Sequence, residues 1–152
     1  MSEWQSDSIG KLAEALAKAK SEFKPIVKET DNAAYLRGGK AMKYADLSTI
    51  IEATEKALAA NGLSIIQSPD VNVADHSMSL IGMLVHSSGE WMRFVTTLPA
   101  VQRERFDAQS CGSAITYARR YQYKSIIGAA EEDDDANAAS GVGSSATAKA
   151  VG

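Results

Sequence analysis

Residues 63–99 read LSIIQSPDVNVADHSMSLIGMLVHSSGEWMRFVTTLP. Leu63-Ser64-Ile65-Ile66 opens a strand, and Asn72 to His76 reads as a turn. Met78, Leu80 and the apolar run to Val85 give a second strand. Ser87-Ser88-Gly89-Glu90 is a tight turn, and Trp91 to Leu98 forms a third strand that Pro99 ends. Connections this short join antiparallel neighbours, so the stretch reads as a three-stranded antiparallel β-meander.

On both sides of the meander the periodicity is helical. Ile9, Leu12, Ala13, Leu16 and Phe23 recur at helical spacing, which predicts an amphipathic helix over 8–22, stopped before Pro25. Asp46 is placed to cap a second helix whose inner stripe is Leu47, Ile50, Ile51, Thr54 and Leu58, and Asn61-Gly62 supplies its stop. Residues 24–43 lack any period, include Arg37-Gly38-Gly39-Lys40, and are expected to be a loop long enough to carry function. Residues 107–127 return to helical spacing, with Cys111, Ala114, Ile115, Ala118 and Ser125 on one side and Gly128 closing the helix. The expected class is α+β, in the order helix–helix–β–β–β–long helix, with the meander packed against the helices.

The chain has 152 residues, the length of one domain; hydrophobic residues make up 45% and charged residues 23%. This excludes a disordered, collagen-like or membrane-spanning chain, since no apolar run reaches the ~18 residues a spanning helix needs. No basic-then-apolar leader opens the sequence, so export is not expected, and no membrane partner is. The single cysteine, Cys111, fits a reducing cytoplasm.

The net charge of −3 conceals an uneven distribution: residues 1–130 carry 15 basic and 14 acidic side chains, residues 131–152 one and five. Residues 131–152 are an acid run, Glu131 to Asp135, followed by Ala, Gly and Ser. Such a segment buries too little surface to offset its ordering entropy and is expected to be a flexible tail beside a folded domain over 1–130. Within the body, residues 24–43 and residues 100–128 each hold five cations against two acids. Two local surpluses of this kind suit an anionic partner.

No nucleophile-elbow sequence appears, and the chain is not expected to be an enzyme. His76 and His86 lie on separate segments with no ligand at metal spacing, so no zinc site is expected. Gly39-Lys40 resembles the end of a phosphate-binding loop, but Ala34 stands where that motif needs Gly and Ala41 where it needs Ser or Thr. Gly141-Val142-Gly143 has no strand before it, so the dinucleotide fingerprint fails too. ATP hydrolysis is not expected, and no cofactor is. The acid run has three readings: a solvated, self-repelling segment, a Mg²⁺ site built of clustered carboxylates, or a phosphate mimic competing for a basic groove.

The sharpest local feature is residues 112–121, GSAITYARRY. Ser113, Thr116, Tyr117, Arg120 and Lys124 share one helix face at offsets of 3, 4, 7 and 11. Hydroxyls and guanidinium groups are good phosphate partners. Gly112 and Ala114 allow another backbone to approach, and Tyr117, Tyr121 and Tyr123 either stack on bases or fill a core. The plainer alternative is a solvated helix face with core tyrosines.

Lys43-Tyr44-Ala45-Asp46-Leu47, Asn61-Gly62-Leu63, Gln67, His86 to Trp91, Leu98-Pro99, Gln109 to Tyr121 and Glu132 to Asn137 occur in one order. In that order they resemble the essential-recombination-function (ERF) family of phage single-strand annealing proteins, over roughly residues 8–137. The resemblance implies single-stranded DNA binding and ATP-independent annealing of complementary strands. It also implies assembly into homo-oligomeric rings or filaments, and a sheet crossed by a long helix, similar to eukaryotic strand-annealing domains. It implies the cytoplasm of a bacterial host as the setting, with a phage exonuclease or a host single-strand binding protein as a working partner. Many relatives carry a further C-terminal domain or a longer tail; the sequence given ends in low-complexity residues at Gly152.

Within that resemblance, Arg119 and Arg120 correspond to the family arginines, and Tyr44 and Asp46 to its aromatic–acid pair. The expected DNA contacts are Arg119, Arg120, Lys124, Ser113 and Thr116, with Lys40, Lys43 and Arg37 as the other wall of a groove. Adjacent helical residues point about 100° apart, so one of the two arginines is open to a structural role beside an acid such as Asp46 or Glu90. Arg120 lies on the hydroxyl stripe and is favoured for DNA. Tyr44, Asp46, Trp91, Gly112 and Tyr121 are expected at a subunit interface or in structural roles. Two other readings remain: a metal-dependent nuclease using the acid run, and a passive coating protein.

Overall fold

The computed structural model describes residues 3–26, 30–37, 40–44 and 46–128, with the backbone path alone for 30–37 and 40–44. The order is α1 (Gly10–Ser21), β1 (Thr30–Arg37), β2 (Lys40–Tyr44), α2 (Leu47–Ala60), β3 (Leu63–Asn72), β4 (Ser77–His86), β5 (Trp91–Pro99) and α3 (Ala108–Ile127). The fold is α+β, with three helices and a three-stranded antiparallel sheet in the order β3-β4-β5 among the described residues. By compactness the chain divides into two units, one of Met1–Phe23 with Thr54–Ala129, the other of Lys24–Ala53 with Ala130–Gly152. The expected flexible tail lies outside the described residues.

In the first unit the meander sets the frame. β3 and β4 pair without interruption from Leu63↔His86 to Asn72↔Ser77, and β4 and β5 from Ser77↔Pro99 to Val85↔Trp91. Alternation along β4 is strict: Met78, Leu80, Gly82 and Leu84 are buried, and the residues between them are half-buried. This period of two sends one side of the central strand towards the helices. Met78, Leu80, Ala100 and Ala118 form a buried cluster, with Val71, Leu98, Phe106 and Ile115 packed against it. Each large aliphatic side chain removed from water here stabilises the unit by roughly 1.5–3 kcal/mol.

α1 is held by Leu12 and Ala19, both buried, whereas Ala13, expected on the inner stripe, is exposed. Its N-terminus has no local side-chain cap. Glu90, from the β4–β5 turn, substitutes: its carboxylate accepts the Lys11 N–H at 3.0 Å and the Leu12 N–H at 3.2 Å. Residues just before α1 extend the sheet edge, because the Ser6 N–H donates to the Trp91 carbonyl at 2.9 Å and the Arg93 N–H to the Trp4 carbonyl at 2.7 Å. α2 stops at Gly62, whose φ of +72° is open to glycine at little cost. The second half of α2 is tied to α3 by the buried contact between the Thr54 and Tyr123 hydroxyls at 3.0 Å.

The second unit corrects the sequence reading. Residues 24–43, expected to be a loop, contain the antiparallel pair β1–β2. Arg37↔Lys40 is the last register pair, which leaves Gly38-Gly39 between the strands, a two-glycine spacing that is itself a hairpin signal. The register shifts between Asn32 and Leu36, so no continuous alternation exists for a periodicity reading to find. Asp46 caps α2 as expected, accepting the Thr49 N–H at 2.8 Å. Ile26 and Ile50 are buried, and the Lys24 N–H donates to the Ala53 carbonyl at 3.1 Å.

Candidate nucleic-acid interface

α3 is the longest of the described helices, twenty residues reading AQSCGSAITYARRYQYKSII, with three cations and no carboxylate. A reciprocal cap starts it. Asp107 accepts the Ser110 N–H at 2.8 Å, and the Ser110 hydroxyl accepts the Asp107 N–H at 2.9 Å. The Ser110 N–H pulls the Asp107 carboxyl below its usual range; burial opposes this and the Arg105 charge adds to it. Gly128, at φ +62°, ends the helix, its N–H donating to the Lys124 carbonyl at 3.0 Å.

The buried side of α3 is Ser110, Ala118, Gln122, Tyr123, Ile126 and Ile127. Ser125, expected on that side, is exposed, and its hydroxyl donates back to the Tyr121 carbonyl at 2.7 Å. The inner stripe continues through Gln122 instead, a polar residue that an apolar periodicity does not reveal. Its amide nitrogen donates to the Leu80 carbonyl at 2.8 Å and to the Thr96 hydroxyl at 3.2 Å, while its amide oxygen accepts from Gln67 at 3.1 Å. Gln67 also donates to the Arg119 carbonyl at 3.1 Å, so the sheet holds the backbone of the arginine pair from below. A glycine inside an apolar strand, Gly82, was the one sequence signal of this approach.

The outward side carries the residues expected to meet phosphate. Ser113, Thr116 and Arg119 are exposed; Arg120 and Lys124 are half-buried. The Thr116 hydroxyl donates to the Gly112 carbonyl at 2.9 Å, which leaves its oxygen as an acceptor. Tyr117 and Tyr121 lie against each other with ring centroids 4.3 Å apart and 31° between planes, and Tyr117 is 43% exposed. Arg120 sits 4.7 Å from the centroid of the Tyr121 ring and the Lys124 ammonium 5.7 Å from it, both within cation–π range. The two arginines therefore differ, Arg119 standing out from the helix and Arg120 lying against an aromatic ring.

The remaining expected residues fall elsewhere. Arg37 and Lys40 are register partners at the β1–β2 turn, and Lys43 lies opposite Asp31, but the side chains of Arg37, Lys40, Lys43 and Tyr44 are outside the described residues. Asp46 caps α2, and Trp91 is half-buried at the start of β5. Gly112 faces open space, so the packing of this chain does not itself require a glycine there. Glu90 is no arginine's partner by these bonds: Ser8, Ser88 and the backbone of Lys11 and Leu12 occupy its carboxylate. Lys40 opens a strand, whereas the lysine of a phosphate-binding loop opens a helix. Among the described residues no three His, Cys, Asp or Glu side chains come together, and the acid run lies outside them.

An α+β chain whose longest described helix shows an acid-free cationic face is suited to contacts with polyanions. The sequence model of the ERF superfamily matches residues 12–151, and the chain belongs to that superfamily. This places it among phage recombination and annealing proteins in general, with DNA-related partners. No curated protein and no solved structure matches the chain. None of its described helices is long and apolar enough to cross a membrane.

Proposed function

We propose that this chain binds single-stranded DNA through the outward face of α3 and anneals complementary strands without ATP, as a homo-oligomeric ring or filament and without a covalent step. The observation that carries the reading is α3 itself: Arg119, Arg120 and Lys124 with no carboxylate in the helix, beside the Ser113 and Thr116 hydroxyls. Base stacking supplies on average ~1.4 kcal/mol per step, so pairing needs no chemical energy. Its obstacles are phosphate repulsion, hairpins within each strand and slow encounter. A cationic row that holds one strand extended with its bases outward reduces all three.

Arg119, Arg120 and Lys124 contact phosphates, with Ser113 and Thr116 as hydrogen-bonding partners; Arg37, Lys40 and Lys43 are further cations for the same polyanion. One such row binds weakly, and repetition around an assembly makes the binding multivalent. β3 lies at one edge of the β3–β4–β5 sheet, and unpaired N–H and C=O groups at such an edge invite a neighbouring chain.

The test is a fluorescence assay of two complementary oligonucleotides without nucleotide triphosphate, with and without Mg²⁺. Faster duplex formation from intact strands supports annealing. Binding without acceleration identifies a coating protein, and shortened strands in Mg²⁺ identify a nuclease.

A further inference from the structure

Between the sheet and α3 the chain makes a turn that its residues do not favour. Gln102 and Arg105 exchange N–H···O bonds in both directions at 3.0 Å, which leaves Arg103 and Glu104 as the two central residues. Both are left-handed, with φ of +52° and +62°. Two such residues in succession define a tight turn that Asn-Gly usually occupies, because a Cβ is crowded there. A strained pair kept in place of the easy one directs attention to what the side chains do.

Beside the turn lies an open cavity of about 250 Å³ lined by Gln102, Arg103, Arg105, Asp107, Gln109 and Ser110. Of the two turn residues, Arg103 lines it and Glu104 does not. Arg103 has no hydrogen bond or ion pair among the described residues. Arg105 has one weak, exposed contact, 3.6 Å from its Nε to Asp107 Oδ2. Asp107 is the single acid in the lining, and its other oxygen is engaged by the Ser110 N–H. Two guanidinium-bearing residues lining one cavity supply the chemistry that holds a phosphate group. No aromatic ring lines the cavity to stack a base, which suits a phosphate in a chain better than a nucleotide. Gln109 lies four residues before Ser113, on the helix face that continues to Thr116, Arg120 and Lys124.

We infer that Arg103 and Arg105 seat a phosphodiester group of the same single strand that α3 holds, at the foot of that row. This rests on the α3 reading above.

The test uses the full chain and a dye-labelled oligothymidylate, with affinity measured across salt from about 50 to 200 mM. The Arg103→Gly/Arg105→Ala variant is expected to bind more weakly at low salt. Its plot of log affinity against log salt should be shallower by about 0.7, the loss of one phosphate contact. Arg103→Gly/Arg105→Gln should lose the same amount. Arg103→Gly alone is expected to melt at or above the wild type, because glycine relieves the turn. A lower melting temperature would make Arg103 a structural residue and overturn the assignment. Wild-type binding with an unchanged slope in the variants overturns the seat and leaves the α3 reading standing. A wild type that ignores the oligonucleotide at every salt concentration overturns both.

Discussion

Gln122 reaches the sheet because residue 82 has no side chain. A Cβ built at Gly82 would collide with the Gln122 amide oxygen and come within 2.8 Å of its Cδ and 3.2 Å of Ile126 Cδ1. Gln122 has nowhere to retreat, since it is 3% exposed and bonded to Leu80 and Thr96. Gly82→Ala is therefore expected to cost about 1–3 kcal/mol by overpacking, read from urea unfolding. In a Gln122→Ala background the same change should cost less, with a coupling of roughly 0.5–3 kcal/mol. Equal costs in the two backgrounds would show that the collision is not what matters.

Glu90 couples stability to acid pH. Burial alone pushes its carboxyl up, but the Leu12 N–H, the Ser8 and Ser88 hydroxyls and the Lys11 N–H outweigh burial and hold it below the usual carboxylate range. A carboxyl that is more acidic folded than unfolded stabilises the fold above the unfolded value. That contribution is lost as pH falls through the ordinary glutamate range to the folded value. Glu90→Gln is expected to melt lower than the wild type at neutral pH, with the gap closing as the pH falls below 4. A gap independent of pH would mean that the charge of Glu90 is not what caps α1.

Tyr123 couples stability to alkaline pH in the opposite sense. Burial raises its phenol above the ordinary value, the Thr54 hydroxyl partly opposes this, and Glu55 adds to it. Unfolded tyrosine ionises first, so this contribution is intact below about pH 10 and fades above it. Tyr123→Phe leaves the Thr54 hydroxyl without this partner and is expected to cost about 1 kcal/mol at neutral pH. Thermal melts at pH 7 and pH 10.5 check both statements, and the variant should show the smaller loss between them.

The meander, both flanking helices and the caps at Asp46 and Gly128 were legible in the sequence, because period-two and period-3.6 patterns and local capping residues report on the chain within a few positions. Features that depend on distant residues were not. Glu90 reads as a turn acid, yet it caps a helix some eighty residues earlier in the chain. Gln122 reads as a polar interruption, yet it is buried through Gly82. The β1–β2 pair escaped because its register shift breaks the alternation. The α3 face was legible as a row of residue types. What sequence could not give was the difference between the arginines, one exposed and one laid on Tyr121, since Tyr121 is both its helical neighbour and a candidate core residue.

That difference separates binding from structure on α3. Arg119 stands in solvent, and Arg119→Ala is expected to remove one phosphate contact, making the salt slope for single strands shallower by about 0.7 while melting and particle mass stay unchanged. Arg120 shares the Tyr121 ring with Lys124, so replacing it changes both the cationic row and the packing along α3. If Arg120 faces DNA, Arg120→Ala abolishes annealing and leaves the particle's mass, measured by light scattering, as it was. Loss of the assembly instead would assign Arg120 to the subunit contact and leave Arg119 and Lys124 as the phosphate contacts of α3. Arg120→Lys separates charge from shape: a lysine keeps the positive charge but not the planar fork, so retained annealing would show that charge alone suffices.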